Sequence, residues 1–188
     1  ALLRVKIDFA AYQQLIELKE VARVSRPPLP SFNPFEIFNQ DIEDLEILSP
    51  SESATGILII DSGVVSGHPL IKNALGDEAN FQSVETEVVD KAGHGTAVAG
   101  CALYGDVEQC ISKKQFHAHN WIFSAKVMYA VQGYRGDVYS EYDPEKLMEH
   151  QFQDAIEHFL DNKDNRIRVV NISLGNKLEV WHKSEFRQ

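Results

Sequence analysis

The chain has 188 residues, 44% of them hydrophobic, with 28 acidic against 18 basic side chains and a formal net charge of −10 at pH 7. That length suits one packed domain of ~100–200 residues and leaves little room for a second. The acidic balance and the lack of a long Lys/Arg run exclude a phosphate-gripping surface, so no nucleic-acid partner is expected. The longest small-apolar stretch, 97–105, falls well short of the ~20 residues that cross a bilayer, so no membrane partner is expected either. Cys101 and Cys110 do not make a disulfide framework. Free thiols are expected, with Cys101 on a buried helix position, and the sparse cysteines lean towards a cytoplasmic setting. The chain opens at Ala1, directly inside the alternating run Val5, Ile7, Phe9, so it reads as cut from something longer, with any signal peptide out of view.

In chain order, residues 1–30 read as a short strand and then a helix carrying Leu15, Ile16, Leu18 and Val21, stopped by Arg26-Pro27-Pro28-Leu29-Pro30. They are expected to be the end of an upstream or prosegment-like region with a Pro-rich boundary. Residues 31–55 mix Phe32, Phe35 and Phe38 with Asp41, Glu43, Asp44 and Glu46, and are expected to be a lead-in segment with one short helix. At Gly56 the pattern changes. Ile57-Leu58-Ile59-Ile60 is a solid apolar run, the mark of a strand covered on both faces, and it ends at Asp61-Ser62-Gly63. A helix is predicted over His94–Tyr104, with Ala97, Val98, Cys101 and Ala102 on its packed face and Gly105 at its C-cap. Ser124–Val131 reads as a second strand and Arg135–Glu145, with Gly136, Tyr139 and Tyr142, as an insertion loop. Asp143-Pro144 opens a predicted helix to Asn162, and Arg168–Gly175 is a third strand. Strands and helices alternate, as in parallel α/β folds.

Two of these elements carry chemistry. Asp61 closes a buried strand at the carboxyl edge of the sheet, where α/β proteins place ligands, although an isolated Asp-Ser-Gly also reads as an ordinary turn. Gly93-His94-Gly95-Thr96-Ala97-Val98-Ala99-Gly100 sets a bulky polar ring at the start of a helix of small residues. Flanking glycines would leave that ring room to face outward.

Together, Ile59-Ile60-Asp61-Ser62-Gly63-Val64 with His68-Pro69, and Gly93-His94-Gly95-Thr96-Ala97-Val98-Ala99-Gly100, resemble the subtilase family of serine peptidases. Val170-Asn171-Ile172-Ser173-Leu174-Gly175 is similar to the family's cleft-lining strand, and Ala125-Lys126-Val127 to the strand before it. The resemblance implies an α/β, three-layer architecture, a mostly parallel sheet with helices on both faces, incomplete in this chain. Residues 56–188 would then be the N-terminal part of the catalytic domain. It also implies that Asp61 and His94 are two members of an Asp-His-Ser triad, His94 as the base that takes the serine proton and Asp61 as the carboxylate that orients it. Ser173, Leu174 and Gly175 would bind substrate through the backbone.

The third triad member has no counterpart here. In the family serine follows histidine by roughly 150 residues, whereas Ser112, Ser124, Ser140, Ser173 and Ser184 all lack a nucleophile's Gly-flanked setting. The serine is expected beyond Gln188, as is the oxyanion-hole asparagine, so the fragment by itself is expected to be inactive. The partners implied are a polypeptide substrate and the missing C-terminal portion of the same domain. No metal site is expected: His117 and His119 alternate along a strand and His150 and His158 lie eight apart on a helix, without a metal-ligand motif. No cofactor is implied. A non-catalytic peptidase-like module that binds peptide is the main competing reading. A nucleotide-binding domain fits poorly, because Asp61–Gly67 lacks the Gly-x-Gly-x-x-Gly spacing.

Overall fold

The computed structural model describes residues 7–21, 44–133, 136 and 138–174. The chain divides into two compact units, Ala1–Asn39 and Gln40–Gln188. In the first, helix α1 spans Phe9–Glu17 and is capped by Asp8, whose carboxylate accepts from the Ala11 N–H at 2.8 Å. Phe9, assigned above to a strand, is thus the first residue of the helix. None of its residues is buried, and Ile16 and Leu18 stand open to solvent. Val5, the proline stop and Phe32, Phe35 and Phe38 fall outside the described residues.

The second unit is built on a four-stranded, fully parallel sheet in the order β3-β5-β2-β8, where β2 is Gly56–Asp61, β3 Leu75–Asn80, β5 Trp121–Lys126 and β8 Ile167–Ile172. Two further strands, β1 (Glu46–Leu48) and β4 (Gln115–His117), pair parallel beside it, and β6 (Met128–Gln132) and β7 (Val138–Tyr142) form an antiparallel hairpin. The expected strand over Ser124–Val131 is therefore two. Its first part ends in the main sheet at Lys126, and Met128 begins the hairpin, whose second strand, Val138–Tyr142, lies within the region assigned to an insertion loop.

The apolar run of β2 explains its central place. Leu58 and Ile60 point to one face, where Phe123, Ala125, Phe152, Ala155 and Phe159 close over them. Ile59 points to the other, against Val64, Ile71, Ala99, Leu103 and Ile122. Each such side chain, fully buried, contributes about 1.5–3 kcal/mol. Helix α2 (His94–Tyr104) covers the Ile59 face; α3 (Val107–Lys113) follows it, and α4 (Met148–Asp161) covers the Leu58 face. Helices on both faces of a parallel sheet make the three layers.

Two helix details depart from the sequence reading. The buried stripe of α2 is Gly95, Ala99 and Leu103, and Cys101 is exposed, because contact with the sheet follows every fourth residue and turns Ala97 and Cys101 away. Helix α4 starts at Met148 rather than at the Asp143-Pro144 pair. Asp143 is instead spent on a distant segment: its Oδ2 accepts from both the N–H and the hydroxyl of Ser83 at 2.6 Å. Those bonds, with one from the Glu145 N–H, hold its carboxyl below the ordinary aspartate range.

Candidate active site

At the carboxyl end of β2 the chain turns sharply, and Asp61 is left fully buried with Ser62 beside it. Helix α2 begins against this turn. Its N-cap, Gly93, has φ of 86°, a left-handed conformation that a side chain would strain. Gly95 is pressed against the strand end; a Cβ there would run into the Gly63 carbonyl and lie 3.2 Å from the Asp61 Cβ. The glycine after the histidine thus serves close approach of helix to strand, where the sequence alone suggested room for the ring.

This approach brings Asp61 and His94 together. His94 Nδ1 and Asp61 Oδ1 are 2.8 Å apart. The same oxygen accepts from the Ser62 N–H at 2.8 Å and lies 3.3 Å from the Ser62 hydroxyl. The pair is asymmetric, since the His94 side chain is 52% exposed and that of Asp61 1%. A neutral ring that donates from Nδ1 to the carboxylate keeps its free lone pair on Nε2. In that tautomer the buried carboxylate orients the ring and Nε2 is the atom that can take a proton, the arrangement general-base chemistry requires.

The start of α2 is stitched to β2 as well. The helix's orphan Gly95 N–H donates to the Ser62 hydroxyl at 3.0 Å, and the Thr96 hydroxyl accepts from the Val65 N–H at 3.0 Å. Across the sheet from Asp61, in register, sits Lys126. Its ammonium is buried, and it is held by Glu85 Oε2 at 2.7 Å and the Val89 carbonyl at 2.8 Å. Burial alone would push the Glu85 carboxyl up, but the bonds from Lys126 and Lys91 outweigh it and hold the group below its usual range. The segment joining β3 to α2 is thereby pinned from beneath. On the hairpin side, the Val127 N–H donates to the Asp61 carbonyl at 2.8 Å. Burial raises the Tyr142 phenol, and the nearby Asp61 charge raises it further.

The strand end expected to bind substrate lies along the same edge. Ile172 of β8 pairs with Ile60, so Ser173 and Leu174 follow at the level of Asp61. The Ser173 hydroxyl is exposed and bonds Asn171 Oδ1 at 2.7 Å, while Leu174 packs partly against the core. Gly175 lies outside the described residues. Among the described residues no group of three or more His, Cys, Asp or Glu is placed to hold a metal ion. His117 and His119 lie with ring centroids 4.2 Å apart, tilted at 44°, on an exposed surface.

Two participants in this corner escaped the sequence reading: Asp90, whose carboxylate accepts from the Ser62 hydroxyl at 3.0 Å, and the buried Lys126. A lysine inside the otherwise apolar Ala125–Met128 stretch was the available signal for the second, because a buried charge needs a partner. No curated protein matches the chain. A family model described as the Subtilase family, peptidase S8, matches residues 52–188.

Proposed function

From the premise that this chain belongs to the subtilase family of serine peptidases, we propose that it supplies the base and the orienting carboxylate of a serine endopeptidase. The observation that carries the reading is the 2.8 Å contact between the exposed ring of His94 and the buried carboxylate of Asp61. A serine hydroxyl is a weak nucleophile. His94 Nε2 takes its proton as the oxygen attacks the peptide carbonyl, then returns that proton to the leaving amine. Asp61 keeps the ring in the Nδ1–H tautomer and stabilises the imidazolium formed between the two transfers.

The serine comes from sequence outside these 188 residues, as does the oxyanion donor. Residues 56–188 are the N-terminal part of the catalytic domain, 31–55 its lead-in and 1–30 the end of an upstream segment or a prosegment-like region. Ser173, Leu174 and Gly175 pair their backbone with an extended polypeptide substrate. The rest of the domain docks on the open flank of β8, a role supported by the exposure of Val169, Val170 and Ile172.

The test compares residues 1–188 with the full-length gene product for labelling by a serine-directed fluorophosphonate and for cleavage of an unstructured protein. The full-length protein labels and cleaves, His94→Ala abolishes cleavage, and residues 1–188 alone do neither. Cleavage by residues 1–188 that depends on His94 would refute the external serine. A full-length protein that neither labels nor cleaves would leave a peptide-binding module as the better reading.

A further inference from the structure

Asp90 is 5% exposed and stands four positions before His94, yet it touches neither ring nor substrate edge. Three donors converge on its Oδ1: the Ser62 hydroxyl at 3.0 Å, the Ala92 N–H at 3.0 Å and the Gly93 N–H at 2.9 Å. Two reach Oδ2, the Thr96 N–H at 2.9 Å and the Thr96 hydroxyl at 2.7 Å. A lone helix cap would need only one of these. The donors fall into two groups that are far apart in sequence. Ser62 directly follows Asp61, while Ala92, Gly93 and Thr96 surround His94.

We propose that Asp90 is a positioning residue, a single buried carboxylate that ties the backbone after Asp61 to the backbone on both sides of His94 and so fixes the distance between them. Ser62 is the link. It has one hydroxyl hydrogen and two carboxylates in reach, Asp90 at 3.0 Å and Asp61 at 3.3 Å, while its oxygen accepts from the Gly95 N–H. The shorter bond draws the hydrogen to Asp90 and leaves Asp61 Oδ1 to the imidazole and the Ser62 N–H. Alanine in place of Asp90 would leave all five donors without an acceptor, whereas an amide could keep its oxygen on Ser62, Ala92 and Gly93 and lose only the Thr96 side. The consequence for turnover rests on the peptidase reading above; the geometry does not.

The test reads the pair directly, through the low-field proton NMR signal of His94 Nδ1–H in the full-length protein. Wild type shows the signal. Asp90→Ala and Ser62→Ala lose it or exchange it with solvent at least tenfold faster, while the amides of Leu58–Ile60 remain protected. Ser62→Ala leaves Asp90's other four donors in place, so it decides the matter if Asp90→Ala does not fold. Thr96→Val, which removes one Asp90 bond away from the link, lowers the melting temperature and keeps the signal. In turnover of an unstructured polypeptide, the two link variants lose roughly 10–100-fold in kcat with KM little changed, the cost of a misplaced catalytic group. An unaltered signal in folded Ser62→Ala, a signal missing from wild type, or one lost equally in Thr96→Val would overturn the proposal. A wild type with the signal but no peptidase activity would instead defeat the peptidase reading and leave this one standing.

Discussion

Strands β2 and β8 are parallel neighbours, and both are written largely in β-branched residues, yet they end in different surroundings. At the end of β2, Asp61 and Ser62 are buried beneath a helix, a hairpin and a pinned loop, and their polar atoms meet Gly95, His94 and Asp90. Along β8, Val169 is 53% exposed, Val170 38% and Ile172 43%, and among the described residues the strand pairs with β2 alone. An apolar run therefore states what a strand requires, while the neighbours decide whether it receives it. The closed corner holds the Asp61–His94 pair still, and the flank of β8 left unpaired among the described residues offers a surface on which more protein can pair.

The sharpest way to break this contrast is at Gly95. Gly95→Ala forces the start of α2 away from the Gly63 carbonyl and Asp61, an overpacking cost of about 1–3 kcal/mol together with a parted Asp61–His94 pair. Thermal unfolding and peptidase assays of the full-length protein should both fall. Gly100→Ala on the same helix has open space for its Cβ, and should be neutral or stabilising by up to about 1 kcal/mol. Equal losses at the two glycines would mean that α2 does not depend on close approach. The smallest effect belongs to the open flank. Val170→Lys in the 188-residue chain should change stability by no more than about 0.5 kcal/mol, as an exposed site does, and should reduce self-association in sedimentation. A loss of several kcal/mol would show that this flank is covered after all.

Much of the closed corner was legible because its chemistry sits in contiguous motifs. Asp61 closing a buried run and His94 opening a helix of small residues both fall where the sequence places them, and β2, β5 and β8 are parallel neighbours as the alternation of strands with helices suggests. The ties were not legible. Ser62 to Asp90, Asp143 to Ser83 and Lys126 to Glu85 span 28, 60 and 41 residues, and no local periodicity encodes such partners. Asp143 misled for the same reason, since Asp-Pro reads locally as a helix start but its carboxylate is taken by a distant loop. The α2 face misled because a helix of almost uniformly small residues has no amphipathic contrast to show which stripe packs.

The central claim is that Asp61 works through His94, and its most direct measurement is kcat and KM for Asp61→Asn in the full-length protein on an unstructured polypeptide. Asparagine fills the same space and can hold the ring in the wrong tautomer. The account predicts a fall in kcat of about 10⁴ with KM little changed. A variant that retains kcat within tenfold of wild type would contradict it, and the 2.8 Å contact between these side chains would then be a structural bond and not a catalytic one.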